Sequence, residues 1–367
     1  MKQMKKTETS FDYLLFVLIL AVSLLGIAMI ASAGGLSLAA RQGMAMIIGA
    51  GAMYCMMRIP EPVYRKCWWV FSLINLTLLG LTLFFGIGRE ETGGQSWLVM
   101  GPVRFQPAEL AKIGFIIAYA AHIDRVHDRI NHPVVLLGLA LHAGVILALI
   151  LAQPDAGTAL VFFLIALVML FIAGLSWGWI CGGLIAAGAA APFLWSHLRS
   201  YQQERILTFF DPDRDPFGAG FQVLQSKAAI AGGGMTGQGY LHGSLTHSDA
   251  IPAKATDFIF SVLGEELGTV GCLVIMALLF CIILRCFLAG TKATSPFGAV
   301  LCAGVGAMFF IHTAENIGMC IGLTPVTGIP LPFFSYGGTA LVTSIMGIGI
   351  VMSRSRNSTT PLRKERQ

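Results

Sequence analysis

The residues able to do chemistry in this sequence are few, and most lie in or beside one polar stretch, 198–257. Asp257, within Ala255-Thr256-Asp257-Phe258-Ile259-Phe260, stands where that stretch gives way to an apolar run. Two readings are open for it. Thr and Asp are ordinary caps of a helix N-terminus, but an acid at membrane depth is costly and usually faces a cavity or a partner. As a general base, Asp257 would feel opposed forces. A helix N-terminus favours the ionised carboxylate, whereas burial in apolar surroundings raises its pKa. Base catalysis near working pH needs the second to win. Glu265 and Glu266 follow about two turns later, with Glu265 facing either the same cavity or a neighbouring helix.

A second group surrounds Gln106-Pro107-Ala108-Glu109-Leu110-Ala111-Lys112. Glu109 and Lys112 are three apart on one helix face and can simply pair, or Lys112 can meet an anionic headgroup. Trp97 nearby suits the aromatic belt of a membrane interface. Other motifs fail on context. Gly232-Gly233-Gly234-Met235-Thr236-Gly237 has the glycine spacing of a dinucleotide loop but neither the preceding strand nor the βαβ frame, so a flexible Gly-rich turn is expected. Asp211, Asp213 and Asp215 alternate like the start of a calcium loop, but Pro216 and Gln222 occupy the positions that need Gly and Glu, leaving a Pro-punctuated turn. The eight Cys form no CxxC pair and avoid the outer loops, which excludes a disulfide framework and a zinc site.

These residues must be positioned by membrane helices. The chain of 367 residues is 56% hydrophobic and only 12% charged, against about a quarter charged in soluble domains. Ten apolar runs are read as spans: 12–32, 41–58, 68–87, 107–123, 134–152, 156–175, 177–197, 258–288, 297–322 and 337–353. Backbone groups in lipid must bond internally, so spans are helices or a closed barrel. Continuous rather than alternating apolarity excludes the barrel. Fifteen of the 24 Lys and Arg fall on one side if the N-terminus is cytoplasmic, which puts both termini inside and 198–257 outside. The net charge of +5 is then mostly a cytoplasmic collar, and calls for no nucleic-acid partner. The first run is too long for a signal-peptide core and is expected to stay uncleaved. Polar segments 89–112, 199–266 and 324–339, with the turn Gln153-Pro154-Asp155, all lie on the outer side and can converge on one site. The organisation expected is one transmembrane domain over 1–367, with short cytoplasmic tails at 1–10 and 354–367.

Several stretches in order carry a resemblance to a known family. They are Trp97 with Phe105-Gln106-Pro107-Ala108-Glu109-Leu110-Ala111-Lys112, and Gln153-Pro154-Asp155-Ala156-Gly157-Thr158-Ala159. Then come Gly220-Phe221-Gln222 with Gln225-Ser226, Gly237-Gln238-Gly239, and Thr256-Asp257-Phe258-Ile259-Phe260 running into Gly264-Glu265-Glu266-Leu267-Gly268. The last are Asn316-Ile317-Gly318-Met319 and Pro325-Val326-Thr327-Gly328-Ile329-Pro330-Leu331-Pro332-Phe333 with Ser335-Tyr336-Gly337-Gly338. Over essentially its whole length the chain resembles the SEDS family (shape, elongation, division and sporulation), the RodA/FtsW-type peptidoglycan polymerases.

That resemblance implies an all-α polytopic membrane protein of about ten spans, with one long extracytoplasmic loop between spans seven and eight. It implies a glycosyltransferase at the outer face of the bacterial cytoplasmic membrane that joins lipid II units and releases undecaprenyl diphosphate. Asp257 matches the family's essential aspartate, the base for the acceptor hydroxyl. Trp97, Arg104, Glu109, Lys112, Arg205, Gln222, Ser226 and Glu265 become candidate substrate contacts, with Lys112, Arg104 and Arg205 holding diphosphate charge. A class B penicillin-binding protein is the implied transpeptidase partner, alongside other elongation or division machinery. The resemblance leaves room for a divalent cation (Mg or Mn), for which the sequence specifies no ligand set. Ser96, Ala108 and Ala255 stand where the family commonly has Arg, Ser and His, and any contacts those residues make are absent here. The run Gly239-Tyr240-Leu241-His242-Gly243-Ser244 and the short tails lean toward the RodA-type branch. Competing readings are a transporter of the lipid-linked precursor and a scaffold that recruits the transpeptidase.

Overall fold

The computed structural model describes residues 11–88, 94–101, 103–198, 200–248 and 250–357. Tail residues 1–10 and 358–367 lie outside the described residues. Ten long helices correspond to the ten expected spans: α1 (Tyr13–Gly34), α2 (Leu36–Arg58), α4 (Trp68–Phe85), α5 (Pro107–Val126), α6 (Pro133–Ala152), α7 (Ala156–Ile172), α8 (Trp177–His197), α12 (Ile259–Thr291), α13 (Pro296–Ile321) and α14 (Gly338–Asn357). Short α3 (Glu61–Lys66) joins α2 to α4, and the hairpin β1 (Leu98–Met100) with β2 (Val103–Phe105) leads into α5. Five of the ten, α1, α4, α6, α12 and α13, are long and apolar enough to cross a membrane on their own account.

α5 is not apolar in that sense, and its placement explains why. It buries Glu109 and Lys112 among bundle residues such as Phe115, Tyr119 and Ile123, the arrangement that makes charge tolerable at membrane depth. The outward residues of α1, α4, α6 and α8 are instead large and apolar: Val17, Phe84, Leu141 and Ile185 are all exposed, as lipid-facing surfaces should be. Small residues set the closest helix contacts. A Cβ on Gly349 of α14 would lie 2.5 Å from the Met53 carbonyl oxygen of α2, and one on Gly49 of α2 would lie 2.9 Å from Ile345 Cδ1. Without a hydrophobic drive between helices in lipid, such close backbone approach is what holds spans together.

Segment 198–257 departs from the loop expected there. It folds into α9 (Ser200–Phe210), α10 (Ala219–Gly233) and four-residue α11 (Ser244–His247), joined by turns. Asp215, from the calcium-like run, closes the entry to α10 by accepting from the Gly218 and Ala219 amides at 2.9 and 2.7 Å. The Gly-rich turn after α10 is packed rather than free. It docks into a break in α12 at Gly268, whose φ of 67 is left-handed, a conformation glycine adopts without cost. Gln238 and Gly239 amides donate to the Glu265 and Glu266 carbonyls, at 2.9 and 3.0 Å. Thr269 and Val270 amides donate back to the Gly234 and Met235 carbonyls, at 2.9 and 3.1 Å. The turn thus replaces helical bonds that the break removes, and no side chain fits between. A Cβ on Gly233 would fall 1.9 Å from the Gly264 carbonyl, and one on Gly237 would fall 2.1 Å from that of Glu266.

Candidate active site

Asp257 sits in the turn that leads into α12, and its backbone is fixed from three sides. The Asn316 amide of α13 donates to the Asp257 carbonyl at 2.7 Å and to the Ile329 carbonyl at 2.8 Å. The Tyr336 amide donates to the Ala255 carbonyl at 2.9 Å, and the Thr256 amide to that of Ala253 at 3.0 Å. His312, Asn316 and Cys320 recur every four residues, one face of α13, and that face carries the turn. Cys320 Sγ approaches the Asp257 carbonyl at 3.7 Å. The residue at the cap position of α12 is Phe258, with no side-chain cap bond, so the carboxylate of Asp257 is not spent on capping.

Among the described residues nothing hydrogen-bonds that carboxylate. Gly328, with φ of 73, lies against it: a Cβ there would stand 3.5 Å from Asp257 Oδ2. Burial raises the Asp257 pKa to about 6, while the nearby positive charge of Arg205 pulls it down. Desolvation wins over the cation, so this carboxyl can take up a proton close to neutral pH, as a general base requires. Arg205 comes from α9, so the helix-forming segment 198–257 is what delivers the cation to the acid.

The other candidates separate into groups. Lys112 is 1% exposed and donates to Glu109 Oε1 and His312 Nε2, both at 2.7 Å. With Nε2 accepting, the ring proton of His312 sits on Nδ1, 3.3 Å from the Pro330 carbonyl. Lys112 and Glu109 are therefore paired with each other and tie α5 to α13 behind the Asp257 turn. Asp155, half-buried at the start of α7, accepts from the Thr158 amide and hydroxyl at 3.0 and 2.8 Å.

Glu265 lies away from Asp257. It is fully buried, and its two oxygens accept from the Leu245 and Thr246 amides at 2.7 and 2.9 Å and from the Thr246 hydroxyl at 2.6 Å. Both oxygens are committed to the start of α11, leaving no face for substrate. Ser226 is likewise buried, bonded to Ser261 and the Cys320 carbonyl, and pins α10 to α12 and α13. Gln222 is half-buried in the first turn of α10. Trp97 bridges to Ile87, and Arg104 is exposed on β2 opposite Val99.

Sequence reasoning missed Asn316 and His312 as parts of the site. Asn316 was legible only as one member of an ordered motif, and the four-residue repeat of His312, Asn316 and Cys320 was the available signal. Among the described residues, no three His, Cys, Asp or Glu side chains converge as a ligand set.

The fold is that of a helical membrane protein, and it sets a half-buried carboxylate, unbonded among the described residues, where a polar segment meets a long helix. The chain belongs to the FtsW/RodA/SpoVE family of cell cycle proteins, whose sequence profile matches residues 7–360. Over 356 residues it is 38% identical to the peptidoglycan glycosyltransferase MrdB of Escherichia coli, with 95% of each chain covered. It is 34% identical over 365 residues to the probable peptidoglycan glycosyltransferase FtsW of Trichlorobacter lovleyi, covering 94% of this chain and 93% of the relative. Among solved structures, a chain of a peptidoglycan synthase complex superposes with a TM-score of 0.84 at 33% identity, covering 96% of this chain and 99% of the other. The rod shape determining protein RodA of Thermus thermophilus superposes with a TM-score of 0.70 at 27% identity and the same coverage.

Proposed function

We propose that this multi-pass membrane protein is a peptidoglycan glycosyltransferase that polymerises lipid II, with Asp257 as its catalytic base. The observation that carries the base assignment is the Asp257 carboxyl itself: no hydrogen bond among the described residues, a pKa raised to about 6, and a backbone clamped by Asn316. Asp257 takes the proton from the acceptor GlcNAc 4-hydroxyl as that oxygen bonds to the donor's anomeric carbon. The bond from that carbon to the diphosphate oxygen breaks with inversion, and its electron pair leaves on undecaprenyl diphosphate. A phosphate leaving group needs no proton, so one base suffices. Arg205 tunes Asp257 and is the cation assigned to the diphosphate, because charge-assisted hydrogen bonds of that kind are the strong ones.

The distribution of Lys and Arg supports cytoplasmic termini and an extracytoplasmic site in the bacterial cytoplasmic membrane. Likeness to a chain from a synthase complex that couples polymerization and crosslinking supports a class B penicillin-binding protein as partner. Likeness to the rod shape determining protein RodA of Thermus thermophilus favours a role in cell shape. The test is incubation of the purified protein and partner with labelled lipid II. Glycan strands are expected. In proteoliposomes, lipid II that crosses the bilayer without being joined into strands would point to a transporter instead.

A further inference from the structure

A cavity of about 240 Å³ opens between α9, α10 and the segment after α13. It lies below the roughly 300–1,000 Å³ of sites that enclose a whole drug-sized ligand, so it suits a compact group. Two cations from different helices line it, Arg205 of α9 and Lys227 of α10. Lys227 is exposed and makes no ion pair among the described residues. Its side chain runs beside Gly322, where a Cβ would stand 3.3 Å from its Cδ and 3.6 Å from its Nζ. Gly322 is left-handed, with φ of 77, and its bare backbone leaves the ammonium room.

Thr208 adds an independent sign of a ligand. It lines the same cavity three residues from Arg205, is 4% exposed, and its hydroxyl has no hydrogen-bond partner among the described residues. Buried polar groups are rarely left unpaired, and an orphan of this kind calls for a missing partner. The cavity is also adjacent to Asp257. Its third wall contains Val326, and a Cβ on Gly328, two residues on, would stand 3.5 Å from Asp257 Oδ2. Two residues of extended chain span at most about 7 Å.

We propose that this cavity is the diphosphate subsite of the lipid-linked donor, with Lys227 as a second cation opposite Arg205 and Thr208 donating to a phosphate oxygen. The proposal rests on the polymerase reading for the identity of the donor. As the anomeric carbon–oxygen bond breaks, the electron pair moves onto the diphosphate, and the two cations stabilise that charge without transferring a proton. Lys112 and Arg104 are not needed for this role, since Lys112 is held between Glu109 and His312.

The test is equilibrium binding of undecaprenyl diphosphate to the purified full chain in nanodiscs, with undecaprenol as the comparison lacking phosphate. Loss of one charge-assisted contact should make Lys227→Ala weaker for undecaprenyl diphosphate by roughly 10- to 100-fold. It should leave undecaprenol binding unchanged, and Lys227→Arg should keep most of the affinity. Inorganic pyrophosphate should compete with undecaprenyl diphosphate on the wild type and compete less well on Lys227→Ala. Equal undecaprenyl diphosphate affinity in wild type and Lys227→Ala overturns the subsite, even in a protein that polymerises lipid II. Binding that depends on Lys227 in a protein that never extends a strand would leave the subsite standing and defeat the polymerase reading.

Discussion

Replacing Arg205 by Ala should move the pH–rate profile upward, because the two influences on Asp257 have opposite signs. Burial raises its pKa to about 6 and the Arg205 charge lowers it. In the wild type, a base with this pKa is ionised in roughly nine molecules of ten at pH 7 and in roughly one of ten at pH 5. The rate constant kcat/KM for lipid II should therefore fall about tenfold between pH 7 and pH 5, with its midpoint near 6. Removing Arg205 takes away the lowering influence, so fewer than half of the molecules are ionised at pH 6 and the midpoint rises. The absolute rate will also drop as a phosphate contact is lost, but the position of the midpoint is independent of that loss. Arg205→Lys should keep the midpoint near its wild-type place. The assay is initial-rate polymerisation of labelled lipid II over pH 5–9. A wild-type midpoint near 4, or an Arg205→Ala midpoint unmoved or lowered, would refute the electrostatic link.

The same raised pKa carries a stability cost, since the folded chain holds a proton on Asp257 between about pH 4 and 6 that the unfolded chain has lost. Its contribution worsens as pH rises through that window. Asp257→Asn should thus be more stable than wild type at pH 8 by on the order of 2–3 kcal/mol, and no more stable at pH 4, measured by unfolding in detergent. Glu265→Ala should destabilise the free protein by about 3 kcal/mol, because a buried and a half-buried amide of α11 and the buried Thr246 hydroxyl lose their acceptor. Unchanged stability with a raised KM would restore Glu265 as a substrate contact. Gly237→Ala should cost at least about 2 kcal/mol, given its left-handed φ of 83 and the Glu266 carbonyl 2.1 Å from the new Cβ. Gly232→Ala, inside α10, should be neutral or stabilising by thermal melt. Asn316→Leu, which releases the Asp257 and Ile329 carbonyls, should lower kcat roughly 10- to 100-fold and shift the pH midpoint, which a purely structural loss would leave in place.

Much of this was legible in the sequence because lipid imposes few solutions. Continuous apolar runs of span length become helices whatever their detail, so the ten spans fall within a few residues of α1, α2, α4–α8 and α12–α14. What the periodicity of lipid-facing residues cannot carry is the internal structure of a polar segment. The helix α10 docks on α12 and α13, four-residue α11 docks on α12, and α9 packs on α10 and the turn before it; the docking on α12 depends on glycines whose value lies in an absent Cβ. Gly233 and Gly237 read as a flexible turn until the Gly264 and Glu266 carbonyls are set beside them. Glu265 and Ser226 read as site residues for a similar reason: a polar side chain beside a cavity and one closing a helix junction are the same letter. Asp257 is ambiguous between cap and base on local chemistry alone; its tertiary surroundings leave the carboxylate without a capping bond among the described residues, and the base role is the one proposed for it. Lys227 carries no motif of its own, and its interest comes from Arg205 on a different helix.

The most direct measurement of the central claim is polymerisation of labelled lipid II by Asp257→Asn beside wild type, each with partner and each verified as folded by thermal melt at the assay pH. Loss of a positioned general base predicts a fall of about 10²–10⁴ in rate, with undecaprenyl diphosphate still bound and the fold at least as stable as wild type. Strand formation by Asp257→Asn at the wild-type rate would contradict the account.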